Sequence, residues 1–119
     1  MDPDDLPGVL ADIAGIAGID AALRCAARLG GPTIYMPRVY TPDHHDHMLL
    51  AGVLGDDVAR AVVERIGGGM VRIPVARRER VRRAVEMVTA GAPIRRTCRE
   101  LGVDDHVVRA RLRRRSEAR

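Results

Sequence analysis

The feature that most constrains this chain is that it repeats itself. A shift of 37 residues lays Gly18 on Gly55, Asp20 on Asp57, Ala22 on Ala59, Arg28 on Arg65 and Leu29 on Ile66. The same shift lays Gly30-Gly31 on Gly67-Gly68, Ile34 on Val71 and Pro37 on Pro74. Two copies are too few for a solenoid, which needs several repeats to bury a continuous core. A pair related by a local two-fold is the better solution. Each copy reads as helix, cap, helix, double glycine, short strand and proline, and the repeats run over residues 6–38 and 47–75.

Within the first copy, Leu6, Val9, Leu10, Ile13 and Ile16 have helical spacing, with Pro7 tolerated in the first turn and an end expected near Gly18. A second helix is expected over residues 20–29, capped by Asp20 and turning Ala22, Leu23, Ala26 and Leu29 toward a core. Gly30 and Gly31 stop it. Thr33-Ile34-Tyr35-Met36 is then β-prone and closed by Pro37. Residues 38–46 read as a connecting loop. The strands over residues 33–36 and 70–75 are expected to pair antiparallel, each covering the other's open edge, with helices packed on the ribbon.

After Pro74 the chain turns basic. Residues 1–75 hold 6 arginines against 10 acids, net −4, whereas residues 76–119 hold 14 arginines against 6 acids, net +8. No lysine contributes to either part. Such asymmetry marks the C-terminal part as the half that faces a polyanion. A helix is expected over residues 77–90, with Val81, Ala84, Val85 and Val88 inward and Arg78, Arg82, Arg83 and Glu86 outward. Beyond Ala90-Gly91-Ala92-Pro93, Ile94, Cys98 and Leu101 share one helical stripe. Gly102 breaks it, and Val103, Val108 and Leu112 resume an apolar face. This is helix-turn-helix spacing: Cys98 is small enough for close helix approach, Gly102 suits the positive φ of the turn, and Asp104 stands at the next N-cap.

In such a motif the N-terminal part of the second helix enters the major groove. Arg109 is the leading candidate for reading a base, because a bidentate arginine on guanine is the commonest specific contact. His106 is second. Asp105 is a candidate acceptor from a cytosine amino group, and Asp104 and Asp105 alternatively only cap the helix and interact with its dipole. Arg95, Arg96 and Thr97 open the first helix of the motif and are expected at phosphates. Arg113, Arg114 and Arg115 trail the recognition helix and suit sequence-independent phosphate contact, or else form a solvated tail.

The order of these parts resembles the Mor (middle operon regulator) family of phage transcription activators. Gly67-Gly68-Gly69-Met70-Val71-Arg72-Ile73-Pro74 resembles that family's Gly-Gly-x-x-Tyr-Ile-Pro strand. Gly30-Gly31-Pro32-Thr33-Ile34-Tyr35-Met36-Pro37 matches it as well and keeps the tyrosine, which Arg72 replaces in the second copy. The resemblance implies a dimerisation domain with Gly30, Gly31, Ile34, Tyr35, Gly67, Gly68, Val71 and Ile73 in its strand motif. It also implies a helix-turn-helix domain behind it, in a protein that activates phage or prophage transcription.

The expected architecture is therefore mainly α with a short two-stranded antiparallel ribbon. Residues 1–75 form a duplicated interaction domain and residues 76–119 a three-helix DNA-binding domain. Expected partners are double-stranded DNA, a second copy in a homodimer, and RNA polymerase. A repressor or antitoxin-like DNA binder, and a protein-interaction module with a basic end, remain alternatives.

Other function classes find little in the residues. Ser116 is the only serine, and the glycine runs follow helices and precede strands, the reverse of phosphate-binding loops, so neither catalysis nor a cofactor is expected. His44, His45 and His47 lie in one short stretch with no cysteine or distant histidine to join them; a structural loop is expected there rather than a metal site. Cys25 and Cys98 sit inside apolar helical patterns and read as buried thiols of a reducing compartment. No apolar run approaches membrane-spanning length and the first residues are acidic, so a cytoplasmic chain without a membrane partner is expected.

Overall fold

A computed structural model describes residues 1–118 of the chain. It is mainly helical, with a two-stranded antiparallel sheet. The chain divides into two compact units, Met1–Ala76 and Arg77–Arg119.

In the first unit a short 3-10 turn, Pro3–Asp5, leads into α1 (Val9–Ala17), which buries Leu10, Ile13 and Ala14. Gly18, at φ 96°, ends α1 by donating its N–H to the Ala14 carbonyl and is itself the N-cap of α2 (Ile19–Leu29). Asp20, expected as that cap, lies inside the first turn of α2, where its carboxylate still faces the positive end of the helix dipole. The inward face of α2 is Ala21, Ala22, Leu23, Cys25 and Ala26, while Leu29 is only half-buried.

Gly30 is needed for space. A Cβ there would stand 2.3 Å from the Ala26 carbonyl oxygen and 2.8 Å from Cα of Val75. Gly31 follows at φ 107° and donates its N–H to the Ile73 carbonyl at 2.8 Å. This glycine pair lets the chain pass directly from α2 into β1 (Thr33–Met36) against the segment that follows the second strand.

Between β1 and the next helix the structure corrects the expected loop over residues 38–46. Helix α3 (His45–Leu54) begins inside that stretch because His44 serves as its N-cap, Nδ1 accepting the Asp46 N–H at 3.1 Å. Gly55, at φ 85°, then links α3 to α4 (Asp56–Ile66) as Gly18 links α1 to α2. The second strand, β2 (Gly69–Arg72), is shorter than the expected 70–75. Ile73 leaves the ladder fully buried and Pro74 follows, packing against Gly8.

The ribbon pairs Thr33 with Arg72, Ile34 with Val71, Tyr35 with Met70 and Met36 with Gly69. Helix α1 packs on α2 and α4, and α3 packs on α4 and α2. This set of contacts is unchanged when α1 and α2 exchange places with α3 and α4. The outer edge of β1 is closed by α3. The Asp46 carboxylate accepts the Tyr35 N–H at 2.8 Å, and the fully buried His47 meets the Tyr35 carbonyl through Nε2 at 2.9 Å. Nδ1 of His47 lies 2.9 Å from the Thr41 N–H. A ring that donates from Nε2 and accepts at Nδ1 meets both groups, and the Thr41 carbonyl oxygen lies 3.0 Å from the same Nδ1. Tyr35 and Tyr40 stack on the His47 ring, and the Arg60 guanidinium lies 5.1 Å from the centroid of Tyr40.

The second unit contains α5 (Arg77–Thr89), α6 (Ile94–Leu101) and α7 (Asp105–Glu117). Val81, Ala84, Val85, Cys98, Leu101 and Val108 form its apolar centre, and α7 packs on both other helices. Val88, Ile94 and Leu112, expected in that core, stay half-exposed along the seam that α7 makes with the other two. No helix among the described residues is long and apolar enough to cross a membrane.

Candidate nucleic-acid interface

The second unit presents its charged side chains from a turn whose geometry is set locally. Helix α6 ends at Gly102, which takes the left-handed conformation at φ 62° and donates to the Cys98 carbonyl. The next N–H, from Val103, also donates to the Cys98 carbonyl at 3.0 Å, so the turn itself meets that one carbonyl near the end of α6. Asp104 then caps α7, its Oδ1 accepting the His106 N–H at 2.8 Å. An aspartate at this place satisfies one orphan donor and favours the helix dipole together.

Behind the turn lies Arg80, which sequence reasoning missed. It is buried on α5, and Nη1 donates to the carbonyls of Leu101 at 3.1 Å and Gly102 at 2.8 Å. The guanidinium ties the first helix of the unit to the turn and meets carbonyls that a helix end leaves without partners. Burial weakens its hold on the proton, Arg77 adds to that effect and Glu79 opposes it. Its signal was available: Arg80 falls one turn before Ala84, on the same inward stripe.

The structure sorts the remaining residues. Arg95, Arg99, Asp104, Asp105 and His106 line one open hollow around the turn, and Arg96 is exposed on α6. Thr97, expected at phosphates, is instead buried with 2% of its surface exposed. It shares the inward face with Cys98 and Leu101, and a hydroxyl so placed cannot reach a phosphate. Arg109 and Arg113 are exposed on α7 beside Leu112, and Arg114 and Arg115 are exposed further along the same helix.

Arg109 pairs with Asp105 one turn before it, Nε to Oδ2 at 3.7 Å, with half of the Arg109 side chain exposed. A pair this exposed contributes well under about 1 kcal/mol. It orients Arg109 along the helix face and gives way to a stronger acceptor at small cost. The Cys98 thiol beneath is held in its protonated form by burial, and the carboxylates of Asp105 and Asp104 add to this.

The strand-motif residues lie elsewhere. Ile34 and Ile73 are buried, Gly30, Gly31, Tyr35, Gly67 and Val71 are half-buried and Gly68 is exposed, and the two strands pair within one chain. Of the histidine stretch, His44 and His47 are engaged in capping α3 and closing β1, and His45 is exposed at the first position of α3. No family model matches the chain, and comparisons with curated proteins and with solved structures return no significant match.

Proposed function

We propose that the chain is a sequence-specific DNA-binding transcription regulator, of the kind represented by the Mor phage activators. The observation that carries this reading is the capped start of α7. His106, Arg109 and Arg113 are exposed there on one helix, beside Arg95, Arg96 and Arg99 of the helix that precedes the turn. In this reading the N-terminal half of α7 enters the major groove. Arg109 leaves Asp105 to engage a guanine edge, His106 contacts a neighbouring base, and Arg95 and Arg96 hold phosphates.

Activation follows in this reading from contact with RNA polymerase once the protein is seated on a promoter. Homodimerisation, which places two recognition helices on two half-sites, uses a surface other than the β1–β2 ribbon, because one chain supplies both strands of that ribbon. Light scattering tests this part: a homodimer has twice the 13.0 kDa of one chain.

The deciding experiment is fluorescence anisotropy on promoter fragments from the gene's own neighbourhood and on a random duplex, with Arg109→Ala alongside. Sequence preference that Arg109→Ala lowers by about 1–3 kcal/mol, with weak salt-sensitive binding retained, is the expected result. Absence of binding to every duplex at low salt overturns the reading and favours an interaction module with an acidic partner. The sign of a promoter–reporter response separates activator from repressor.

A further inference from the structure

The C-terminal half of α7 carries arginines that the recognition face does not use. Arg111, Arg114 and Arg115 face Arg78 and Arg82 of α5 across an open cleft of about 510 Å³, floored by Val85. Arg82 follows Arg78 by one turn on α5, and Arg114 and Arg115 follow Arg111 by one turn on α7, so two arginine stripes run along the two walls. Among the described residues lining the cleft, Glu86 is the single carboxylate. It is already engaged, with Arg82 Nε at 3.3 Å and Arg83 Nη1 at 3.5 Å.

Solvated arginines repel one another and spread over a surface. Here the packing of α5 on α7 gathers five into one concavity, with one acid among them, and a polyanion removes the repulsion that results. The position bears on which polyanion. His106 and Arg114 are eight residues apart on α7, about 12 Å along its axis, so the cleft follows the helix away from its capped start. A duplex whose bases meet the start of α7 has its backbone running past the other half.

We infer that the α5–α7 cleft is a second, sequence-independent DNA contact that binds the phosphate backbone flanking the site read by α7. This rests on the DNA-binding reading above and adds to it. Guanidinium groups suit the role because their planar forks engage phosphate oxygens in pairs. Recognition by the start of α7 sets which sequence is bound, and the cleft sets how tightly and with what salt dependence.

The test is a salt series of anisotropy titrations on specific and random duplexes with the full chain, comparing wild type with Arg78→Gln/Arg82→Gln and with Arg111→Gln/Arg115→Gln. Arg28→Gln/Arg65→Gln removes the same charge from the first unit as a control, and thermal melts confirm that each protein folds. Loss of two phosphate contacts is expected to lower the slope of log affinity on log salt by roughly 1–2. Both duplexes should weaken by the same factor, with sequence preference unchanged and the control like wild type. An unchanged slope in both cleft variants, or an equal fall in the control, overturns the inference while the DNA-binding reading stands. Lost binding of poly-L-glutamate with unaltered duplex binding overturns it in favour of an acidic polypeptide. Failure of the wild-type protein to bind any duplex overturns the reading beneath it.

Discussion

Ile34 lies opposite Val71 in the ribbon, and the two stand 37 positions apart, the offset at which helices, glycine pair and strand recur along the chain. The neighbouring pairs obey the same relation. Moving Thr33 and Tyr35 by that offset gives Met70 and Arg72, which are the ladder partners of Tyr35 and Thr33 respectively. This is the register that a local two-fold axis between Ile34 and Val71 produces. The equivalence does not extend to burial, since Ile34 is 4% exposed and Val71 is half-buried. Ile34→Ala is therefore expected to cost about 2–4 kcal/mol and Val71→Ala about 1 kcal/mol, read from urea unfolding midpoints. Equal losses would show that the two positions share one environment.

His47 holds β1 from its outer side. Replacing it with Phe keeps an aromatic ring in the stack with Tyr35 and Tyr40 but leaves the Tyr35 carbonyl and the Thr41 N–H without their partner. The expected loss is about 2–4 kcal/mol, since each abandoned backbone group costs its desolvation. Retained stability on thermal unfolding would assign the side chain a packing role alone.

Arg80 makes the corresponding hold in the second unit. Arg80→Met fills similar space, removes both hydrogen bonds to the turn carbonyls and is expected to destabilise that unit by about 2–4 kcal/mol. Amide exchange should report the effect first around Leu101 and Gly102. Wild-type protection there would mean that the turn holds without the guanidinium.

Cys25 links stability to alkaline pH. Burial raises its thiol from 9.0 to about 11, against an opposing effect of Arg24 and Arg28. The folded state thus keeps a proton that the unfolded state releases. Its contribution is intact below pH 9, falls as pH rises toward about 11 and amounts to roughly 2–3 kcal/mol. Urea unfolding at pH 8 and pH 10.5 should show this fall in wild type and a smaller one in Cys25→Ala.

Much of the fold was legible because it rests on periodicity and punctuation. The stripe of α2, the strand at Thr33–Met36 and the Gly102 stop before α7 are each set by residues close in sequence. What escaped depends on distant partners or on unusual chemistry. Histidine is an uncommon N-cap, so the start of α3 passed for loop. The end of β2 is decided by where Ile73 finds a core, beyond the reach of strand propensity. At the candidate site, net charge singled out a segment but not individual roles: Thr97 stood among arginines and turned inward, and Arg80 stood among outward arginines and became a structural strut. Helical phase separates these residues more reliably than their neighbours in sequence do.

The two edges of the ribbon have different neighbours, and that difference bears on how the protein survives at high concentration. The backbone of β1 at Tyr35 is engaged by α3, whereas β2 carries the exposed side chains of Met70 and Arg72. An edge of this kind invites strands of other molecules to add to it. Here it is four residues long, carries a cationic side chain at Arg72, starts at a glycine with φ 79°, and is followed within two residues by Pro74. Each of these shortens or interrupts the ladder a second molecule would need, so the strand resists fibre growth without a covering helix.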